Sequence, residues 1–435
     1  MSAIAILGTG MAALGASYRL RGEKHRCVLY DKNTYAGGHT VTARSPDGFS
    51  FDVGPHVSFT KDERIQELFA NAVNGAYEDV KYSLNNYWQG HWIVHPVQTN
   101  LYGLPPDVIT KIVLSFVEEM QKPLGEVENY AEWLIASYGK VMAETFPMAY
   151  TAKYHTTPAE NLRTDWIGPR MYRPTLEEVL MGALTPKVAN VHYVQSFRYP
   201  TYGGFQAYPD GLRGEAEVVL GHELVRLDPS ARELIFRNGA RVAYDALVSS
   251  IALPDLIPMI VGVPAEVVEA VSQLACSSVV LVNVGLGRAD NISKVQISYF
   301  YDRDVIFSRL CFPHMFSPNN VPPGHGSIQA EVYFSKKYMP MSGTPESCIE
   351  PVIADLRRVG LIREDDEILY KNATFAKYAN IIFDHDRPKA LATVHGYLDE
   401  IGVNYCGRYG DWAYLWTDDS FKSGERAAES ALARL

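Results

Sequence analysis

The chain has 435 residues, 47% of them hydrophobic and 21% charged, with a formal net charge of −10. That balance excludes a largely disordered chain, and the lack of a basic surplus excludes a protein that coats nucleic acid. The length exceeds what one hydrophobic core usually accommodates, so two or three domains are expected.

In chain order, Ala3–Leu7 is a short apolar run that suits a buried parallel strand. Gly8–Gly10 is a turn, Met11–Leu20 reads as a helix, and Cys27–Tyr30 is a second apolar strand ending at Asp31. Strand, glycine turn, helix and strand make a βαβ unit. Phe49–Val53 is a further short strand. The pattern then changes: Arg64–Ala72, Pro106–Met120 and Tyr130–Thr145 show helical spacing with charged faces. Gly221–Asp228 and Ala246–Ser250 read as strands returning to the first domain. Val279–Val284, Ile297–Tyr301, Val305–Leu310 and Ser327–Phe334 read as an antiparallel sheet, Glu350–Gly360 as a helix, Val403–Cys406 as a strand and Ser420–Leu435 as a closing helix. The expected fold is therefore α/β, with a Rossmann-type domain from residues 1–60, about 200–255 and about 395–435. A largely helical insert is expected over 61–198, and an antiparallel-sheet substrate domain over 256–394.

The five cysteines, Cys27, Cys276, Cys311, Cys348 and Cys406, are widely spaced with no C-x-x-C. They fit free thiols in a reducing compartment and no metal site. No signal-peptide pattern opens the chain. Its most apolar stretch, Ala246–Ala275, is broken by Pro254, Asp255, Pro258 and Pro264, so no membrane span is expected. A cytoplasmic protein is the simplest reading.

Gly8-Thr9-Gly10-Met11-Ala12-Ala13 fits G-x-G-x-x-G/A. Gly8 permits the tight turn, Gly10 lets the backbone approach a pyrophosphate, and the small Ala13 lets helix and strand pack closely. The phosphates then sit at the positive end of the helix. Asp31, at the end of the second strand, is placed to accept hydrogen bonds from ribose hydroxyls. Asp31-Lys32-Asn33-Thr34-Tyr35-Ala36-Gly37-Gly38-His39-Thr40 resembles the second fingerprint of FAD proteins in the glutathione-reductase-like and amine-oxidase-like group, which points to FAD and not NAD.

Beyond this front end the chain resembles the UDP-galactopyranose mutases, the eukaryotic-type branch more than the short bacterial one. The resemblance runs through Gly48–Val57, Trp92–Leu101, Lys153–Arg170, Phe197-Arg198-Tyr199-Pro200 with Gly203-Gly204, Tyr299 with Arg309 and Ser317-Pro318, and Gly407–Tyr414. It implies a mutase that interconverts pyranose and furanose forms of a nucleotide-diphosphate sugar, with reduced flavin N5 as nucleophile at the anomeric carbon. It also implies NAD(P)H as a candidate external reductant. Arg170 and Arg309 are the implied pyrophosphate clamp, because a guanidinium fork matches phosphate oxygens. Tyr299 and Tyr414 are implied phosphate hydrogen-bond donors, His56 lies near the flavin ring, and His39, Arg408 and Asp419 contact the cofactor; Val225, on a returning strand, is expected to flank the adenine through backbone contacts.

The chain also departs from the family. Asp386-Arg387-Pro388 stands where the family carries Gly-Tyr-Pro, which makes Arg387 a candidate phosphate contact, and Pro55 replaces a glycine. UDP and GDP sugars both remain open. The competing reading is an FAD-dependent oxidase or desaturase of the amine-oxidase type, whose substrates have no use for two phosphate-binding arginines.

Overall fold

The computed structural model describes residues 2–122, 125–168, 171–186, 192–289 and 294–435. Five parallel strands form its first sheet, in the order Val403–Tyr405, Ala246–Ser249, Ala3–Leu7, Arg26–Tyr30 and Glu217–Val219. The apolar run of Ala3–Leu7 is explained by this central place, where a strand is covered on both faces. Two helices, Met11–Arg19 and Thr417–Leu432, cross on one side of the sheet at backbone distance. A Cβ at Gly15 would stand 2.8 Å from the Phe421 carbonyl carbon, and one at Gly424 2.7 Å from that of Ala12. The small residues of both helices therefore set how close the closing helix comes to the glycine turn.

The second layer is a mixed sheet of seven strands, in the order Ile368–Ala376, Ser277–Leu286, Gly326–Ser335, Arg309–Cys311, Ile297–Phe300, Leu84–Trp88 and His91–Val94. Alternation divides its residues between two faces. Val280, Val282, Phe300, Leu310 and Ala330 pack against Val352, Ile353 and Leu356 of the helix Ile349–Arg358. Each of those three helix side chains contributes about 1.5–3 kcal/mol on burial. The opposite face, carrying Tyr299 and Arg309, lines a large cavity.

Several expectations need correction. The hairpin Leu84–Val94 is not part of a helical insert: it extends the seven-stranded sheet, with Leu84–Trp88 parallel to Ile297–Phe300. Helices of the insert run instead from Pro106 to Leu184. The expected helix Tyr130–Thr145 is two helices broken at Gly139, whose φ of +75° no continuing helix adopts. Close approach of Phe116 there also leaves no room for a side chain. Leu224–Asp228 does not join the parallel sheet but opens a separate antiparallel one with Glu233–Phe236 and Arg241–Ala243. Ile368–Ala376 was not foreseen as a strand, because its residues alternate poorly in polarity at a sheet edge.

Candidate active site

One cavity of about 990 Å³ runs from the carboxyl edge of the parallel sheet to the open face of the seven-stranded sheet. Its first end is built by local backbone geometry. Gly8 has φ +105°, and a Cβ there would overlap Ser250 Oγ. Gly10 caps the helix Met11–Arg19 without any side chain. Gly38, with φ +59°, lies so close that a Cβ on it would be 3.1 Å from the Gly10 Cα. The two glycine turns thus stack backbone on backbone at a helix N-terminus, leaving room and positive potential for phosphates. Ala13 is fully buried beneath them.

Asp31 is buried beside this turn. Its Oδ2 accepts from Thr9 Oγ1 at 2.6 Å and its Oδ1 from the Asn33 amide at 2.9 Å, and each oxygen keeps a lone pair for a ligand. The Asp31 carbonyl accepts from the His222 amide at 2.7 Å, which brings His222, Glu223 and Leu224 to the cavity wall. Val225, the expected adenine neighbour, is the next residue along that strand, is 39% exposed, and does not line the cavity. Strand alternation turns it outward.

Midway, His39, His56 and Arg408 line the cavity. Burial pushes both imidazoles down to about 4, with Arg408 adding to the effect on each. His56 Nδ1 is 3.0 Å from the Gly54 carbonyl, which makes it the protonated nitrogen of the neutral ring. Arg408 donates to the carbonyls of Leu415, at 3.0 and 2.7 Å, and Ala379, at 3.3 Å. Among the described residues no carboxylate pairs with it, so its charge is available to an anionic ligand. Asp419 does not line the cavity: its carboxylate accepts from the Trp416 amide, 3.2 Å away, at the start of its own helix. Thr417 and Ser420 face the cavity in its place.

The far end is a row across the large sheet. Tyr299, Arg309 and Glu331 stand opposite one another on three neighbouring strands, so their side chains share a face. Arg309 Nε and Nη2 donate to the two oxygens of Glu331, each at 2.8 Å. Glu331 is 1% exposed and also accepts from the Tyr333 hydroxyl at 2.5 Å. The fork is therefore pinned along one edge, with Nη1 outside the pair. Arg309 lies 5.8 Å over the Tyr154 ring, and Tyr299 stacks on His95 at 4.8 Å. The Tyr150 hydroxyl, also on this wall, is buried without a hydrogen-bond partner. Such an orphan is costly unless a ligand satisfies it. Tyr414 reaches the same wall, 3.3 Å from the Tyr154 hydroxyl.

One expected residue, Arg387, is not brought here, and another, Arg170, lies outside the described residues. Arg387 donates through Nε, at 3.1 Å, and Nη2, at 2.5 Å, to the Trp412 carbonyl, and its guanidinium covers the Phe383 ring. It does not line the cavity, because the first turn of the helix Arg387–Glu400 points it at the Trp412 carbonyl instead. Glu331, Tyr150 and Asn380 were not singled out from the sequence, since no local pattern marks them, and His95 and Tyr154 lie inside segments of the family resemblance without being given a role.

The stacked glycine turns, the helix terminus and the acid at the strand end define a dinucleotide-binding protein of Rossmann type. Residues 6–72 match the family of NAD(P)-binding Rossmann-like domains. Over its whole length the chain has the fold of UDP-galactopyranose mutase. The crystal structure of the reduced enzyme superposes with a TM-score of 0.93 at 23% identity, over 100% of this chain and 96% of that one. A structure from Exiguobacterium sp. 255-15, described as a protoporphyrinogen oxidase, superposes with a TM-score of 0.76 at 14% identity, over 100% and 99%. A 4,4'-diapophytoene desaturase of Staphylococcus aureus (strain bovine RF122 / ET3-1) is 36% identical over 59 residues, or 14% of this chain. The chain matches only 12% of that desaturase's length.

Proposed function

We propose that the chain is an FAD-dependent mutase that interconverts pyranose and furanose forms of a nucleotide-diphosphate sugar. The observation that carries this reading is the row Tyr299–Arg309–Glu331, facing the same cavity as the dinucleotide turns. An oxidase acting on an amine or a hydrocarbon has no use for a cation held rigidly at that position. The residues at the first end fit FAD: the Gly10–Gly38 contact leaves a cradle that any side chain would fill, and Asp31 keeps acceptor capacity for a ribose. When bound in its reduced form, FAD supplies a nucleophilic N5 for the anomeric carbon; NAD(P)H is the proposed source of its electrons.

The protein's own work is positioning. Arg309, with Arg170 as its proposed partner, holds the diphosphate that leaves the sugar and must return to it. Tyr299, Tyr414 and the orphaned Tyr150 hydroxyl donate to its oxygens without changing the charge of the site. Arg408 and the neutral His56 border the flavin. His95, stacked on Tyr299, offers a flat surface at the end where the nucleoside lies. The five cysteines are all free, and among the described residues no helix is long and apolar enough to cross a membrane; we place the enzyme in the cytoplasm. The desaturase likeness covers too little of the chain to favour the redox alternative.

The test is incubation of dithionite-reduced protein with UDP- and GDP-sugars, followed by chromatography. A furanose isomer should form without net use of reductant. No isomer across the panel, with oxygen-dependent turnover of an amine or polyene, would refute the reading.

A further inference from the structure

One lysine stands behind the wall that carries Tyr299 and Arg309. Lys153 is on the helix Pro147–Tyr154, whose Tyr150 and Tyr154 line the cavity, but does not line it itself. Its Nζ donates instead to the carbonyls of Phe300, at 3.3 Å, Asp302, at 2.9 Å, and Phe307, at 2.6 Å. Phe300 follows Tyr299 directly, and Phe307 stands two residues before Arg309. One ammonium thus fastens both ends of the connection between the strands Ile297–Phe300 and Arg309–Cys311 to the helix that carries Tyr150 and Tyr154.

The side chains meet across this fastening. Tyr150 packs edge to face on the Tyr299 ring at 5.5 Å, and Arg309 lies 5.8 Å over the Tyr154 ring. Lysine suits the place because its compact ammonium has three donors for three acceptors that converge on one atom. The neutral amine has two, and would turn a lone pair toward the third carbonyl. Among the described residues no carboxylate pairs with Lys153. The nearby acids are engaged elsewhere: both oxygens of Asp302 accept from the Gln89 amide at 3.1 Å, and Asp355 Oδ2 accepts from the Ile306 amide at 2.7 Å.

We propose that Lys153 is a positioning residue whose three donors hold Tyr299 and Arg309 in register with Tyr150 and Tyr154 around the bound diphosphate. The inference rests on the mutase reading above. A pH dependence follows. Burial pushes the Lys153 amine down to about 7, against the pull of Asp302 and Asp304 in the connection and Asp355 on the helix Ile349–Arg358, while Arg358 on that helix adds to the effect of burial. The surrounding phenols, Tyr150, Tyr154, Tyr299, Tyr301 and Tyr87, stay neutral, because burial raises them all. The third bond is therefore present below about 7 and lost as pH rises through it.

The test uses Lys153→Met and Asp302→Asn in the purified, flavin-loaded protein, titrated calorimetrically with UDP-glucose and in parallel with GDP-mannose from mildly acid to mildly alkaline pH. Both probes carry a diphosphate diester whose charge is constant over this range. Each variant is compared with wild type at every pH, so that titrations common to both, such as that of Asp52, cancel.

Lys153→Met keeps the apolar stem and removes the donors. It should bind about tenfold more weakly than wild type at the acid end, and the gap should narrow to about threefold as the wild-type lysine loses its proton, with the flavin spectrum unchanged. Asp302→Asn keeps an acceptor for Gln89 and removes the carboxylate that most favours the ammonium. Its affinity should therefore begin to fall at lower pH than that of wild type. Because this variant retains Lys153, it tests the proposal even where Lys153→Met does not fold. Lys153→Met binding equal to wild type, a gap that does not change with pH, or an Asp302→Asn profile that superposes on wild type overturns the proposal. Wild-type protein that binds neither probe also overturns it. Protein that shows the narrowing gap, yet converts no sugar when reduced, refutes the mutase reading and leaves the role of Lys153 standing.

Discussion

Replacing Gly424 by alanine should disturb the dinucleotide site without touching it. Two effects oppose each other. Alanine in a helix interior is favoured over glycine by about 1 kcal/mol. Against this, a Cβ at 424 would stand 2.7 Å from the Ala12 carbonyl carbon and 2.8 Å from the Ala16 nitrogen, and would overlap the Ala12 oxygen outright. Overpacking costs about 1–3 kcal/mol, and here no flexible side chain can give way, since the obstacle is helix backbone. The upper end of that range wins over propensity, for a net loss of about 1–2 kcal/mol.

The helix Met11–Arg19 must shift, and with it the Gly10 turn that opens it. Gly396, in the helix Arg387–Glu400, is the internal control, because a Cβ there meets nothing within 4 Å. Gly396→Ala should gain about 1 kcal/mol. Urea midpoints of both variants, and flavin retained through gel filtration, measure the outcome. A Gly424→Ala protein as stable as wild type with full flavin would refute the claim that these helices meet backbone to backbone.

The other expectations concern the ionic groups. Arg309→Ala should abolish diphosphate binding with the flavin spectrum intact, and should destabilise by about 3–5 kcal/mol because Glu331 is left buried and unpaired. The double variant Arg309→Met, Glu331→Leu should recover stability but not binding; recovery of neither in melts and titrations would contradict the pairing. Arg387→Ala should lower the melting temperature and leave UDP and GDP affinity unchanged, since that side chain serves the Trp412 carbonyl. Burial holds His39, His56 and His155 at about 4 instead of 6.5. The folded chain thus binds fewer protons than the unfolded one in that interval, and the stability these groups contribute is full above 6.5 and lost as pH falls toward 4. Asp52, raised by burial from 3.8 to about 6, works in the opposite sense, its contribution being lost as pH rises through that interval. His155→Gln should flatten the acid limb of the urea midpoint against pH, and an unchanged limb would count against its burial as a neutral ring.

The dinucleotide end was legible in the sequence by itself, because the constraints there are local. Gly8 and Gly38 adopt backbone angles that glycine favours, Gly10 and Ala13 must be small, and Asp31 ends the next strand within the same βαβ unit. Ordered motifs also indicated Tyr299, Arg309 and Tyr414 on the strength of a family resemblance. What the sequence could not supply was register. Glu331 is 22 residues from Arg309, and only the pairing of two strands makes them partners. Val225 and Asp419 lie one or two residues from positions that do face the cavity, a difference decided by strand alternation and by a helix cap. Asn380 sits in an irregular segment with no pattern of its own. Local backbone demands are written in neighbouring residues, whereas which distant side chains share a face follows from how the sheets and helices pack.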